Sequence, residues 1–490
     1  MVVGTRRRRP EVTQEQKRAG STPIARNPPT ARRSGFDPGA WRLNFELETL
    51  AVDLGGVLHG VAGRPEIEVE GLSIDSRTVG ERQLFAALSE QRDGHEFVPA
   101  ARTAGAAAVL VQRVVDDGPS LVVPDVALGL QELARVARRR LHGPVVGVTG
   151  SVGKTTTKDM LANVLGARMR TAASERSFNN ELGVPLTLAN APADTEATVV
   201  EMGARGSGHI ALLCTMASPT VGVVTAVHAV HTELMGSEDD IARAKAELVE
   251  SLPPEGLAVL NGADPRVAAM STLSSAEVLT FGGDAGDVTA TGVVIDDDLR
   301  PGFTLHSPWG DAEVHLGARG EHNVDNALAA ASVALWLGIE PEAVAMALET
   351  PPASPWRMQL ERSDAGITVL NDAYNAGPAS MAAALRSLAA LPAGHRVAVL
   401  GLMAELGDRS EAEHLAVAKL AEELEIDLLA VGTDQYGSAH TSDAADGSDS
   451  VLEVLRERGW LAPDTAVLVK GSRVAGLESV AEQILSFGAS

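Results

Sequence analysis

The sequence predicts an α/β protein of three domains: a small N-terminal α/β domain, a central parallel-sheet domain that binds a mononucleotide on a P-loop, and a C-terminal Rossmann-like domain. A chain of 490 residues exceeds what one compact core accommodates, at roughly 100 to 200 residues per domain. Apolar residues make up 45% and aromatics only 3%, so Val, Leu, Ile and Ala must fill the cores. That composition belongs to parallel α/β layers rather than to a β-sandwich. Short apolar runs also alternate with helical periodicity along most of the chain.

In chain order, residues 1–40 contain Arg6 to Arg9 and scattered Pro, Ser and Thr without a hydrophobic period. A disordered tail is expected there, with a transit peptide as the alternative for an Arg-rich, acid-poor start. Residues 41–142 interleave the apolar runs 107–111 and 121–123 with a helical stretch at 131–141, which makes the small α/β domain. After Pro144, the buried-strand run VVGV at 145–148 leads into GVTGSVGKTTT at 147–157, and Met160, Leu161, Val164 and Leu165 follow at helical spacing. The runs 197–200, 221–224 and 257–260 continue the alternation until the Pro-rich stretch 351–355, so the central domain is set at 143–353. From 354 to 490 the runs 397–400, 428–431 and 467–469 each enter a glycine, the pattern of a Rossmann-like βα series. The acidic, Ser-rich segment 440–450 is expected to be a surface loop.

Net charge is −24, but residues 1–40 carry nine basic and three acidic groups, +6, so the rest of the chain carries −30. Such a body repels polyanions, which excludes nucleic acid as an expected partner and leaves anionic ligands to local Lys, Arg and backbone N–H groups. A single cysteine, Cys214, permits no intramolecular disulfide and no multi-cysteine metal site. With no apolar run of membrane length, a soluble cytoplasmic protein, acting as a monomer, is expected.

Strand, Gly-rich loop and helix form the context that phosphate binding requires. Gly150, Ser151 and Gly153 let backbone N–H groups converge on phosphate oxygens, Lys154 reaches the β and γ phosphates, and Thr155, followed by Thr156, is placed for Mg²⁺. The spacing departs from G-x-x-x-x-G-K-[ST], because Val148 stands where the first glycine is usual. Glu201 ends a strand run, at the carboxyl edge where ligands of open parallel sheets lie; it reads equally as a Mg²⁺ ligand or as a solvated strand-end carboxylate. His228, His231 and Glu233 fall in the loop after the next strand, where a metal or proton-handling group and an ordinary surface loop both fit. Ser237 with Asp240 makes a capping-box-like helix start. Lys245 follows on the apolar side of that helix among small residues that leave room for it to point inward; its position alone favours an ordinary surface lysine.

Together these segments resemble the Mur ligases, amide-forming enzymes of peptidoglycan synthesis, from about residue 70 to the C-terminus. IDSRTVGERQLFAAL at 74–88 and DGHEFV at 93–98 are similar to the uridine-nucleotide-binding domain, which implies that Ser76 and Arg77 lie near UDP. SFNNELGVPLT at 177–187 is similar to the segment contacting the muramoyl substrate and ordering the metal site, through Asn179 and Asn180. The resemblance implies that Glu201 and His231 bind Mg²⁺ and that Lys245, in AKAE, is carbamylated and assists a second Mg²⁺, reversing its positional reading. GEHNVDNALAA at 320–330 implies adenine contacts by Asn323 and Asn326. WRMQL and NDAYNAGPASM imply that Arg357 and Asp372 hold phosphate and ribose, with Tyr374 and Asn375 on the substrate side. That last tract and KGSR at 470–473 resemble the branch that adds D-alanyl-D-alanine to UDP-N-acetylmuramoyl-tripeptide using ATP and Mg²⁺. The alternatives are a Mur-type ligase for another amino acid and a catalytically silent, nucleotide-regulated homologue. Ala226, His228 and Gly377 depart from the family's usual Asn, small residue and Asn.

Overall fold

The computed structural model describes residues 42–62, 66–89, 92–115, 118–228, 235–437, 440–442 and 448–488. The expected tail at 1–40, and His231 and Glu233, lie outside them.

The first domain opens on an antiparallel pair, β1 (Asn44–Glu46) with β3 (Glu68–Glu70). Its five-stranded sheet then runs β2 (Val57–His59), β7 (Ser120–Val122), β6 (Ala108–Val111), β5 (Leu84–Ala86) and β4 (Leu72–Ser73), with only β2 antiparallel. Asp125 starts the helix Val126–Arg140 by accepting from the Leu128 N–H, and the helix buries Leu130, Leu133, Ala134 and Ala137. It packs against helices Gly183–Ala189 and His209–Ala217 of the next domain. There the Arg138 Nε–H donates to Ala217 O at 2.8 Å, locking the two domains together.

The central sheet is wholly parallel. Its strands are β8 (Val145–Thr149), β9 (Thr171–Ala173), β10 (Ala197–Glu201), β11 (Val221–Val224), β12 (Leu257–Asn261) and β13 (Glu277–Phe281), in the order β13-β12-β11-β8-β10-β9. From β8 the chain passes first to β9 and β10 on one side and then to β11, β12 and β13 on the other. This reversal opens a crevice at the carboxyl end of β8, between β10 and β11. The near-continuous apolar strands are buried because helices cover both faces. The Ala-rich helix Asn323–Trp336 is buried along nearly its whole length and lies against the helix Lys154–Gly166 that follows β8. Small side chains allow that close approach.

A three-stranded antiparallel meander, β14 (Thr289–Ile295), β15 (Pro301–His306) and β16 (Ala312–His315), adds to this domain. The apolar-run pattern did not anticipate it, because β14 is half exposed and carries no buried run.

In the C-terminal domain β17 (Gln359–Arg362) pairs antiparallel with β18 (Thr368–Asn371). Parallel strands continue through β22 (Thr465–Lys470), β19 (His395–Gly401), β20 (Asp427–Val431) and β21 (His440–Ser442). The expected surface loop at 440–450 is therefore corrected at both ends, since His440–Ser442 is an edge strand and Ser448–Glu457 begins a helix. A three-residue edge strand pairs through its backbone and needs no apolar run to signal it. Among the described residues no helix is long and apolar enough to cross a membrane.

Candidate active site

The expected site residues other than Ser76, Arg77 and His231 converge on one cleft of about 1200 Å³ between the central and C-terminal sheets. That is large enough for a nucleotide together with part of a second ligand.

The phosphate loop forms its floor. Gly153 has φ 82° at the start of the helix Lys154–Gly166. A Cβ there would stand 2.3 Å from Asn326 Oδ1, so glycine is required both for the left-handed turn and for the approach of the Ala-rich helix. The Thr225 hydroxyl, at the end of β11, donates to Val152 O at 2.6 Å and pins the loop from the side. Ser151 Oγ accepts from the His228 N–H at 2.9 Å and donates to His228 O at 3.0 Å, so His228 braces the loop through its main chain.

Lys154 Nζ donates to Gly150 O at 2.6 Å and Ser151 O at 3.2 Å. Burial, opposed by Glu201 and reinforced by Arg357, holds its amine below the usual lysine range. Glu201, at the carboxyl end of β10, is 1% exposed. Its Oε1 accepts from Asn179 Nδ2 at 2.9 Å, whereas Oε2 is buried with no hydrogen-bond partner. A buried, orphaned carboxylate oxygen facing a phosphate loop fits Mg²⁺ coordination. Among the described residues no three His, Cys, Asp or Glu side chains gather as a metal cluster. A cation here would therefore rest on Glu201, hydroxyls and ligand oxygens, with the loop containing His231 outside the described residues.

Lys245 comes from the helix Glu238–Glu250, whose start is the expected Ser237–Asp240 capping box. It lines the cleft, is 4% exposed, and has no hydrogen-bond or ion-pair partner among the described residues. Burial and the charge of Lys154 hold its pKa well below the ordinary lysine value, favouring the neutral amine.

On the opposite wall, Arg357 Nη2 donates to Thr155 Oγ1 at 2.8 Å. The guanidinium lies 4.2 Å from the centre of the Tyr374 ring. Trp356 and Met358, on either side of Arg357, have φ 57° and 51°. For non-glycine residues this is a strained presentation, of order 1–3 kcal/mol each. Asp372 pairs with Lys470 at 2.6 Å and accepts from the Met358 N–H at 3.1 Å. Lys470 Nζ also donates to Asn375 O at 2.8 Å.

Asn326 Oδ1 accepts from Thr157 Oγ1 at 3.1 Å, and its amide donates to Asn323 Oδ1 at 2.7 Å. These two residues thus join the Ala-rich helix to the first turn after the loop. Thr156 and Asn180 also line the cleft, and Asn180 Oδ1 accepts from the Gly183 N–H at 2.9 Å to start the next helix.

Ser76 and Arg77 are not brought to this cleft. They lie in the turn after β4, where Arg77 is exposed and paired with Asp75 at 2.7 Å. Conversely, Ser177, Thr225 and Lys470 line the cleft without having been singled out as site residues. Lys470 ends β22 just before Gly471, and a charged residue between a buried strand and a glycine is the signal that marks it.

Residues 148–334 match the family model described as Mur ligase middle domain, and residues 356–473 match that described as Mur ligase, glutamate ligase domain. The chain is 41% identical over 472 residues to the UDP-N-acetylmuramoyl-tripeptide--D-alanyl-D-alanine ligase of Mycobacterium tuberculosis (strain ATCC 25618 / H37Rv), covering 85% of this chain and 92% of that protein. The crystal structure of MurF from Acinetobacter baumannii superimposes with a TM-score of 0.80 at 30% identity, over 91% of this chain and 99% of that one. MurF ligase from Thermotoga maritima in complex with ADP superimposes with a TM-score of 0.75 at 27% identity, over 85% of this chain and 97% of that one.

Proposed function

The chain belongs to the Mur ligase family, and we propose from this membership that it is the ATP-dependent, ADP-forming ligase joining D-alanyl-D-alanine to UDP-N-acetylmuramoyl-tripeptide in peptidoglycan precursor synthesis. The observation that carries the reading is the junction at Thr155, where Arg357 of the C-terminal domain reaches a hydroxyl of the phosphate loop. A reaction that activates a carboxylate on ATP needs cationic groups on both sides of the transferred phosphoryl and a wall that excludes water.

In this reading the domains divide the work. Residues 41–142 hold the uridine nucleotide near Ser76 and Arg77, 143–353 hold ATP, and 354–490 bind the dipeptide and close over ATP. Gly150, Ser151, Gly153, Lys154, Thr155 and Thr156 cradle the phosphates, Asn323 and Asn326 face adenine, and Arg357 and Asp372 face phosphate and ribose. The tripeptide carboxylate, positioned by Asn179 and Asn180, attacks the γ-phosphorus; the bond to the bridging oxygen breaks, ADP leaves, and an acyl phosphate forms. Lys154 neutralises charge on the phosphoryl oxygens as this happens. The dipeptide amine, positioned beside Tyr374 and Asn375, then attacks the acyl carbon. A tetrahedral intermediate collapses to amide and phosphate, and the amine loses its proton.

Thr155 and Glu201, with Lys245 as its carbamate and His231, would hold Mg²⁺, which when bound supplies positive charge against the phosphate oxygens. Supporting the carbamate, Lys245 is buried without a partner among the described residues, and its burial favours the neutral amine, which adds to CO₂ with loss of a proton. A cytoplasmic site of action belongs to the same proposal.

The test is ADP release by purified protein that requires both the UDP-tripeptide and D-alanyl-D-alanine. Lys154→Ala is expected to lower it on the order of 10³-fold; near-normal turnover would sink the assignment. Incubation with ¹³C-bicarbonate is expected to give a carbamate carbon signal that Lys245→Ala lacks.

A further inference from the structure

One turn beyond Thr155 on the same helix, Lys158 and Asp159 form a buried ion pair at 2.6 Å, 3% and 6% exposed. Neighbouring side chains on a helix diverge by about 100°, so the contact requires the lysine to fold back over its neighbour. Its other partners explain why it does so. Lys158 Nζ also donates to Ser174 O at 2.9 Å and Arg176 O at 3.2 Å, so two backbone carbonyls hold the ammonium beside Asp159. Asp159 Oδ2 accepts from the Ser354 N–H at 2.9 Å, in the Pro-rich linker between the central and C-terminal domains.

Both arms return to one atom. Ser177 follows Arg176, and its Oγ lies 3.1 Å from Thr155 Oγ1. Arg357 lies just beyond Ser354, and its Nη2 donates to Thr155 Oγ1 at 2.8 Å and to Ser177 Oγ at 3.4 Å. A third arm runs through Ser174, whose Oγ accepts from the Glu201 N–H at 3.2 Å. The pair is thus the common root of the segment bearing Ser177 and Asn179, of the linker bearing Arg357, and of the end of β10.

We propose that Lys158 and Asp159 are positioning residues that set the interdomain linker and the 174–180 segment in register, so that Arg357 and Ser177 arrive together at Thr155. Lys158 is 3% exposed and does not line the cleft, so it is not placed to meet a ligand itself. A buried ion pair is also often no more stabilising than apolar residues of similar volume, so these charges serve geometry rather than stability. The inference rests on the reading of Arg357 as a phosphate-gripping residue.

Two variants test it. The double variant Lys158→Met/Asp159→Leu exchanges the pair for apolar volume; Ser354→Pro removes the linker N–H, while fixing φ at that position, and leaves the pair intact. Both are expected to lower kcat roughly tenfold to a hundredfold in a chain that still melts cooperatively. In an Arg357→Ala background each is expected to add less than about twofold, because the arm then holds nothing. A folded variant whose kcat stays within about twofold of wild type overturns the proposal, as do losses that multiply with that of Arg357→Ala. If the double variant does not fold, Ser354→Pro decides. A wild-type chain that releases no ADP fails the ligase reading instead.

Discussion

On the central-domain wall of the cleft, Lys154 is held below its usual pKa range, Glu201 keeps a buried oxygen without a partner, and Lys245 is buried unpaired among the described residues. On the C-terminal wall Lys470 closes on Asp372 at 2.6 Å, Asn375 O takes a further ammonium proton, and Arg357 lies over Tyr374. Both walls bury ionisable groups, but among the described residues one leaves them without a direct ion pair and the other pairs Lys470 with Asp372. Uncompensated buried charge is destabilising unless a ligand completes it. The central wall is therefore shaped by its ligands and the C-terminal wall by its own fold.

That difference sets what substitutions should do, beginning with the largest effect. Glu201→Gln keeps the hydrogen bond to Asn179 and removes the charge. Ligase turnover is expected to fall on the order of 10² to 10³-fold, while urea denaturation shows stability unchanged or raised. A clear loss of stability would show that Glu201 is compensated after all, and the contrast would break. Asp372→Asn should reverse the pattern by stranding the Lys470 ammonium, which is 2% exposed. A loss of about 3 kcal/mol is expected in the same urea titration.

The smallest effect concerns His414, 0% exposed, which holds the loop after β19. Its Nε2 accepts from the Met403 N–H at 2.9 Å and its Nδ1 lies 2.7 Å from Ser410 O. Those partners suit the neutral ring with its proton on Nδ1, and burial holds its pKa below the ordinary histidine value. Below about pH 6.5 the unfolded chain therefore binds a proton that the folded chain resists. Stability should fall as the pH drops through that range, by at most about 1.4 kcal/mol per pH unit for this group. His414→Gln should flatten the slope measured by thermal melts between pH 7 and 5, sharpening the picture of a C-terminal wall braced from within.

The phosphate loop was legible because all its determinants are contiguous: a buried strand, small residues, a lysine and a helix within a dozen positions. Glu201 and the strand-end series were legible from the order of apolar runs, since in a parallel sheet that order fixes which ends face the crevice. Lys245 was not legible from its position on the helix; only resemblance pointed to it, because whether a helix face meets solvent or a cleft depends on neighbours far away in sequence. The Asp372–Lys470 pair joins β18 to β22 across 98 residues, and the hydrogen bond from Ser354 to Asp159 spans 195. No local pattern carries such partners. The exposed meander β14 to β16 escaped for the opposite reason, as it buries too little to leave an apolar signature.

Cys214 lies in the helix His209–Ala217, 5% exposed, with its Sγ 3.9 Å from Met202 Sδ, one residue beyond Glu201. Burial pushes its thiol up to about 11, so at neutral pH almost no thiolate is available to an alkylating reagent. As the single cysteine in 490 residues, it gives the molecule one chemical clock. Its labelling rate counts how often the packing beneath Glu201 opens, and nucleotide and Mg²⁺ bound at that strand end should slow the count.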